Sequence, residues 1–454
     1  MESNDLNNFT EGSIFRPLIR FALPILLSLF LQAMYGAVDL IIVGKFCGTA
    51  EISGVSTGSQ FMNGVMSLLY GFAVAITVIL GQRLGEKDAE GVRKTLASGI
   101  ALFAGLGVLV TVLVAGFTEP MTKLVNAPAE AHSATFTYIR ICGAGSIFIL
   151  AYNLLGSIFR GIGDSRTPLV TVAIAAVINI GGDLFTVGLL HLGAAGAALA
   201  TVAAQLVSVL LSLAMIRRLG RETLPFTFGD LRPDRQFLRN IIRVGIPLSL
   251  QDTLVTLSFM VILIIVNSLG VTASAGAGIG EKLCSFIMLI SSACSSTLSA
   301  FVAQNVGAGR HDRAAKALFY LIGASFAVSV LVAWLSFFHG NLLAGLFAND
   351  PEVIAQAWDY LRAYSIDCLL TSFLFCFLGY YNGYAQTGFV MVQGLIGAFG
   401  VRIPVAYLMS RTVSPTLFKV GLSTPASSLV QILLCFVYLP VLRKKIREGR
   451  KLTV

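Results

Sequence analysis

Apolar runs of about 20 residues, separated by short polar breaks, recur from one end of this chain to the other. A helix of that length rises 1.5 Å per residue and crosses roughly 30 Å of hydrocarbon. Twelve such spans are predicted. They fall at about 16–44, 56–81, 95–117, 135–159, 167–190 and 194–216, then at 240–268, 275–303, 316–338, 358–381, 388–409 and 420–442. The expected fold is an all-α polytopic membrane protein with two six-helix lobes. A polar stretch from Arg217 to Arg235, carrying Pro225 and Pro233, separates them. The expected division is an N-terminal lobe at 1–218, a cytoplasmic linker at 219–237 and a C-terminal lobe at 238–454 that ends in a basic cytoplasmic tail.

The two halves repeat each other. Gly54, Gly58, Gln82, Gly85, Tyr138, Arg140 and Gly161 return as Gly276, Gly280, Gln304, Gly307, Tyr360, Arg362 and Gly383, each 222 residues on. With 45 glycines in 454 residues, some glycine matches arise by chance, so the Gln, Tyr and Arg pairs carry the weight. Six spans per lobe give both lobes one orientation, related by a pseudo-two-fold axis along the membrane normal. Many secondary transporters use such duplications to make a cavity between moving halves.

Composition agrees with the pattern: 56% of residues are hydrophobic and 12% charged, against about 25% charged in a soluble domain. The net charge of +9 invites a nucleic-acid reading, but its distribution points elsewhere. Basic residues follow the second span (Arg83, Lys87, Arg93, Lys94) and the eighth (Arg310, Arg313, Lys316), fill the linker, and crowd the tail from Arg443 to Lys451. The opposite side has only Lys45, Lys123, Arg411 and Lys419 near span ends. The positive-inside rule places both termini in the cytoplasm of a plasma (inner) membrane protein, and the tail reads as a topology and lipid-headgroup signal. Acidic Glu2, Asp5 and Glu11 leave the N-terminal stretch without a basic n-region, so the first span is expected to stay as an anchor. The seven cysteines show no C-x-x-C pair and read as packing residues, and the four histidines are too scattered for a metal site.

Ionisable groups in hydrocarbon are costly and face a cavity or a partner. Asp39, Asp183, Asp252, Glu281, Lys282, Asp367 and Arg402 meet that description. Asn179 precedes Asp183 by four residues and shares its helix face. Counted from the outer span ends, Asp39 lies about 8 Å deep, and Asp183 and Thr201 about 10 Å. Asp39, Asn179, Asp183 and Thr201 are therefore expected to meet in one pocket. Burial disfavours a carboxylate's charge, and a second carboxylate nearby disfavours it further. Such a pair can hold a proton or take a hard cation such as Na⁺; the rival reading is a hydrogen-bonded network tying three helices together.

Glu281 and Lys282 are expected to pair with each other or with a neighbouring lobe. Asp252 and Asp367 are candidates for a cationic substrate contact or a second-lobe site. Pro24 and Pro247 open the first and seventh spans at nearly matching positions and are candidate hinges, or inert kinks. Met34, Tyr35, Phe61, Met62, Met66 and Tyr70 suit an adaptable drug cavity or ordinary packing. The glycine-rich Gly276-x-Gly278-x-Gly280 lies inside an apolar span and reads as helix packing rather than a phosphate cradle. No Ser/His/Asp grouping, metal cluster or nucleotide motif points to an enzyme.

The segment RGIGDSRTP, with Arg160, Gly161, Gly163, Asp164, Thr167 and Pro168, resembles the loop after the fourth span in the multidrug and toxic compound extrusion (MATE) family. GQRLGEKD, Gly81 to Asp88, resembles that family's loop after the second span. The resemblance covers essentially the whole chain. It implies an antiporter that rocks between outward- and inward-facing V-shaped states and expels organic, often cationic, compounds against inward H⁺ or Na⁺. It also implies a first-lobe cation site at Asp39, Asn179, Asp183 and Thr201. One branch of the family carries a Glu early in the seventh span and an Asp in the tenth, where this chain has Gln251 and Thr371. That departure speaks against a second-lobe sodium site of that kind, although Asp252 and Asp367 lie nearby.

The expected function is thus a cation-coupled multidrug efflux antiporter, with no cofactor beyond the coupling ion H⁺ or Na⁺. Its expected partners are drug-like small molecules and membrane lipid, with no nucleic acid, and one chain with two lobes is expected to work as a monomer. A flippase for a lipid-linked glycan precursor is the rival within the same superfamily, and would favour a cavity lined by several Arg or Lys. A channel is the third class, told apart by the absence of stoichiometric counter-ion coupling.

Overall fold

The computed structural model describes residues 9–218 and 232–449. Among them there are helices and no strands. Eleven helices are long and apolar enough to span: α1 Phe15–Phe46, α2 Thr49–Gly85, α3 Ala89–Gly116, α5 Arg166–Leu189, α6 Gly193–Arg218, α7 Arg235–Asn267, α8 Val271–Gly307, α9 His311–Ala344, α10 Pro351–Gly383, α11 Thr387–Ser410 and α12 Leu417–Arg447. The remaining span, α4, is a pair, Ala129–Ala144 and Ser146–Gly161, bent by 55°.

The helices outrun the predicted spans because hydropathy registers only their apolar middles. In α2 the helix continues through Gln82 and Arg83 and stops at Gly85; its repeat partner α8 stops at Gly307. Side-chain caps start the next helices. Asp88 accepts from the Gly91 amide at the head of α3, and Asp350 accepts from the Glu352 amide ahead of Pro351 in α10. The bend in α4 sits at Gly145, where a Cβ would stand 2.5 Å from Val202 of α6. Only a glycine permits that approach.

The repeated glycines have one physical origin. A Cβ on Gly58 would lie 2.7 Å from the Tyr138 ring, and one on Gly280 would lie 2.6 Å from the Tyr360 ring. Gly161 meets Leu80 and Gly383 meets Val302 in the same repeated way. The signature is therefore the close crossing of α2 with α4 and of α8 with α10. The arginine pair repeats too: Arg140 lies over Phe136 at 5.8 Å, and Arg362 over Trp358 at 5.6 Å, position for position.

Over the described residues the chain forms two compact units, one drawn from Leu23–Gly245 and the other from Phe9–Ala22 with Ile246–Val454. The division expected from sequence lay in the linker at 219–237, of which 219–231 fall outside the described residues. The start of α1 is exchanged into the second unit and the start of α7 into the first. α1 changes unit one residue before Pro24, and α7 one residue before Pro247. Both prolines lie inside unbroken helices.

Each exchanged end is anchored. In the second unit Phe9 is buried between Phe21 and Phe301, with ring centroids 5.0 and 5.1 Å away. Asn305 Nδ2 donates to the Phe9 carbonyl at 3.1 Å, and Arg313 donates to the carbonyls of Phe9, Glu11 and Gly12 at 3.1, 3.1 and 2.7 Å. In the first unit the Asp234 amide donates to Ser98 Oγ at 3.0 Å, Lys94 pairs with the Asp234 carboxylate at 3.7 Å, and Arg83 lies over the Phe237 ring at 5.4 Å.

Candidate functional site

In the first unit α1 presents Gln32, Tyr35 and Asp39 at helical spacing on one face. Gln32 Nε2 donates to the Tyr152 hydroxyl of α4 at 2.8 Å, and Gln205 Nε2 of α6 donates to the Tyr35 hydroxyl at 3.3 Å. At the end of this stripe the structure brings Asp39, Asn179, Asp183 and Thr201 together. Asp39 is 6% exposed, Asn179 1% and Asp183 0%. Thr201 Oγ1 donates to Asp39 Oδ2 at 3.4 Å, and Asn179 Nδ2 donates to Thr201 Oγ1 at 3.5 Å. Tyr138, the repeat's tyrosine, also hydrogen-bonds with Thr201. Immediately after Asp183 the helix widens into a π-helical turn, Leu184–Leu189, a departure found disproportionately at functional sites.

The cluster is short of donors. Asp39 Oδ1, both Asp183 carboxyl oxygens and Asn179 Oδ1 accept no hydrogen bond. The two carboxyls lie within hydrogen-bonding reach of each other. A carboxylate can only accept, so two facing each other need a proton or a cation between them. Each unmet buried acceptor costs about 1–3 kcal/mol, more when ionised, while the two long hydrogen bonds return about 1 kcal/mol apiece. A network that served only to join helices would lose on that balance. Two carboxyls, an amide and a hydroxyl are an oxygen-rich set suited to H⁺ or a small hard cation. Among the described residues no group of three or more His, Cys, Asp or Glu is placed to hold a metal ion.

The other sequence candidates scatter. On α1 and α2, Met34 is 39% exposed and Met62 6%, with Tyr35 and Met66 between these extremes. Gln251 on α7 lies against Gly394 of α11. Asp252 is half-buried and has no ionic partner among the described residues. Glu281 takes its hydrogen bond from Tyr360 rather than from Lys282, which is exposed.

Sequence spacing did not disclose a second cluster, in the second unit. Arg402 Nη1 donates to Ser258 Oγ at 3.0 Å, and its guanidinium lies 4.3 Å from the Phe259 ring centroid, a cation–π contact worth about 2 kcal/mol when desolvated. Ser428 hydrogen-bonds the Asp367 carboxyl, and Arg402 acts on it electrostatically. Asp367 Oδ1 and Arg402 Nε have no hydrogen-bond partner. Arg402 closes a π-helical turn, Ile396–Arg402.

One family model, MatE, matches the chain twice, over 24–185 and 247–408, each match opening on a proline. The chain is 26% identical over 440 residues to the probable multidrug resistance protein YpnP of Bacillus subtilis, covering 95% of this chain and 96% of that one. It is 25% identical over 418 residues to the multidrug export protein MepA of Staphylococcus haemolyticus, covering 90% of each. The fold matches a MATE family multidrug resistance transporter of the MOP superfamily in its outward-facing conformation, with TM-score 0.91, 20% identity and coverage of 99% and 100%. It also matches a MOP superfamily transporter of Pyrococcus furiosus described as having a binding pocket of reverse polarity, with TM-score 0.92, 19% identity and coverage of 98% and 100%. With both halves matched and eleven or twelve spans in place, this multi-pass membrane protein belongs to the MatE family.

Proposed function

We propose that the protein is a secondary active multidrug efflux antiporter, exporting drug-like and often cationic organic compounds across the plasma membrane in exchange for H⁺ or Na⁺. Multidrug resistance and multidrug export are what the names of its relatives record. The observation that carries the coupling is the donor-poor cluster of Asp39 and Asp183 with Asn179 and Thr201. An ion entering from outside sits between the two acids, offsets one of their charges and draws α1, α5 and α6 together; its departure leaves the acids unmatched and favours the opposite state. The stripe of Gln32, Tyr35 and Gln205 gives the ion a polar route along α1. Both termini lie in the cytoplasm, a monomer suffices, and transport makes no covalent change to its cargo.

The test is efflux of a fluorescent organic cation from proteoliposomes under separately imposed pH and sodium gradients. The expected result is that one gradient drives efflux and that Asp39→Asn and Asp183→Asn each cut it at least tenfold. Gradient-driven efflux that survives Asp39→Asn contradicts the proposal.

A further inference from the structure

Around the repeated arginine the two units diverge. In the first unit Arg140 is exposed and follows Ala134, Phe136 and Thr137. At the matching positions, 222 on, Arg362 is half-buried and follows Gln356, Trp358 and Asp359. α9 shapes the place. Its backbone leaves helical geometry at His339, with φ −125° and ψ 20°, and the nearby Phe337 carbonyl accepts from Trp358 Nε1 at 3.0 Å. Gly340 gives the indole its slot, since a Cβ there would stand 2.7 Å from Trp358. The Arg362 guanidinium lies 5.0 Å from the Phe337 ring centroid and 5.6 Å from that of Trp358. Rings hold it and polar groups do not. Its Nε is buried without a partner, and among the described residues Arg362 makes neither a hydrogen bond nor an ion pair.

Beside it is a cavity of about 340 Å³, lined by Gln356, Trp358, Asp359 and Arg362 and by Pro415 and Thr416 of the loop before α12. Ligand sites run from about 300 to 1,000 Å³, so this one suits a small group. Asp359 Oδ2 accepts from the Phe418 amide at 2.9 Å, which fixes the carboxylate and leaves Oδ1 for an incoming donor. One cavity thus offers a fixed cation and a fixed anion. A guanidinium fork matches a phosphate, and Asp359 Oδ1 calls for an N–H donor. A quaternary ammonium has no N–H to give, and the aromatic rings that could hold it already hold Arg362. Depth points to a lipid rather than a solute. Arg362 is about 6 Å inside the predicted span that begins at 358, at headgroup level, where Trp is the favoured aromatic. Nearby on α9, Trp334, Phe338 and Leu342 are 56%, 56% and 67% exposed, an apolar surface for acyl chains. We infer that this cavity binds the headgroup of a phospholipid carrying a primary ammonium, its phosphate on Arg362 and its ammonium on Asp359. The site belongs to the second unit alone, and its existence does not depend on the coupling cluster.

The test is lipid binding to the purified full chain in detergent, read by native mass spectrometry. The probes are synthetic phosphatidylethanolamine, phosphatidylcholine and phosphatidylglycerol with identical acyl chains. Wild type should bind the ethanolamine lipid at least tenfold more tightly than the other two. Arg362→Gln should weaken that binding at least tenfold, and Asp359→Asn should bring it down to the level of the choline lipid. Arg140→Gln, at the matching position of the first unit, should leave it as in wild type. Thermal melting checks that each variant folds. On wild type, phenylglyoxal should modify Arg362 at least fivefold more slowly with the ethanolamine lipid present than with the choline lipid; this reading decides if Arg362→Gln does not fold. No preference among the three lipids, unchanged affinity in a folded Arg362→Gln protein, or an equal loss in Arg140→Gln overturns the inference. So does O-phosphoethanolamine that competes as well as the lipid, because the cavity would then serve a soluble zwitterion.

Discussion

Tyr138 and Tyr360 each have a glycine against the ring, and the fit leaves no room for a methyl group. Gly58→Ala and Gly280→Ala should therefore each cost about 1–3 kcal/mol as overpacking, read as a lowered Tm in detergent; an unchanged Tm for both would show that the crossing can open without cost. Tyr138 joins this packing to the acidic cluster through Thr201, so the same residue marks the repeat and borders that cluster. The sequence made part of this legible. Asn179 and Asp183 share a face because they are four apart, and counting from span ends put Asp39 and Thr201 at their depth. Arg402 meets Ser258, and Asp367 meets Ser428, across helices at unrelated spacings that no one-dimensional pattern joins. Asp252, at the same level of suspicion from sequence, has no ionic partner among the described residues.

The helices were legible wherever they were apolar, and their ends were not. The bend in α4 sits at Gly145, which packs against Val202 on another helix, a contact that periodicity along one segment does not register. The same limit hid the anchoring of the stretch before α1. Arg313 read as one of many positive-inside residues, yet it donates to the carbonyls of Phe9, Glu11 and Gly12. Charge-assisted hydrogen bonds of this kind are worth about 1.5–3 kcal/mol each when shielded, and less at the partly exposed Arg313. Arg313→Ala should speed amide hydrogen exchange across Phe9–Gly12 by at least tenfold while the exchange of α9 stays as it was. Equal protection in variant and wild type would mean that Phe9 in its aromatic pocket holds the segment alone.

At the scale of the whole chain, the duplication gives two units with one architecture and different charge. The orientation expected from the basic residues has a direct check in the cysteines. Cys47, in the turn after α1, is the partly exposed one among the seven, the others being buried. With the N-terminus in the cytoplasm, a membrane-impermeant maleimide added to intact cells should label the protein once and should fail to label Cys47→Ser; labelling only after permeabilisation would reverse the topology. The central claim, that ion and drug share one antiport cycle through the Asp39–Asp183 cluster, is tested most directly by counterflow. Proteoliposomes loaded with an organic cation and diluted into substrate-free medium, with no ion gradient imposed, should take up H⁺ or Na⁺ as the substrate leaves, at a fixed ratio that Asp183→Asn abolishes. Substrate efflux with no inward ion movement, or ion uptake undiminished in Asp183→Asn, would contradict it.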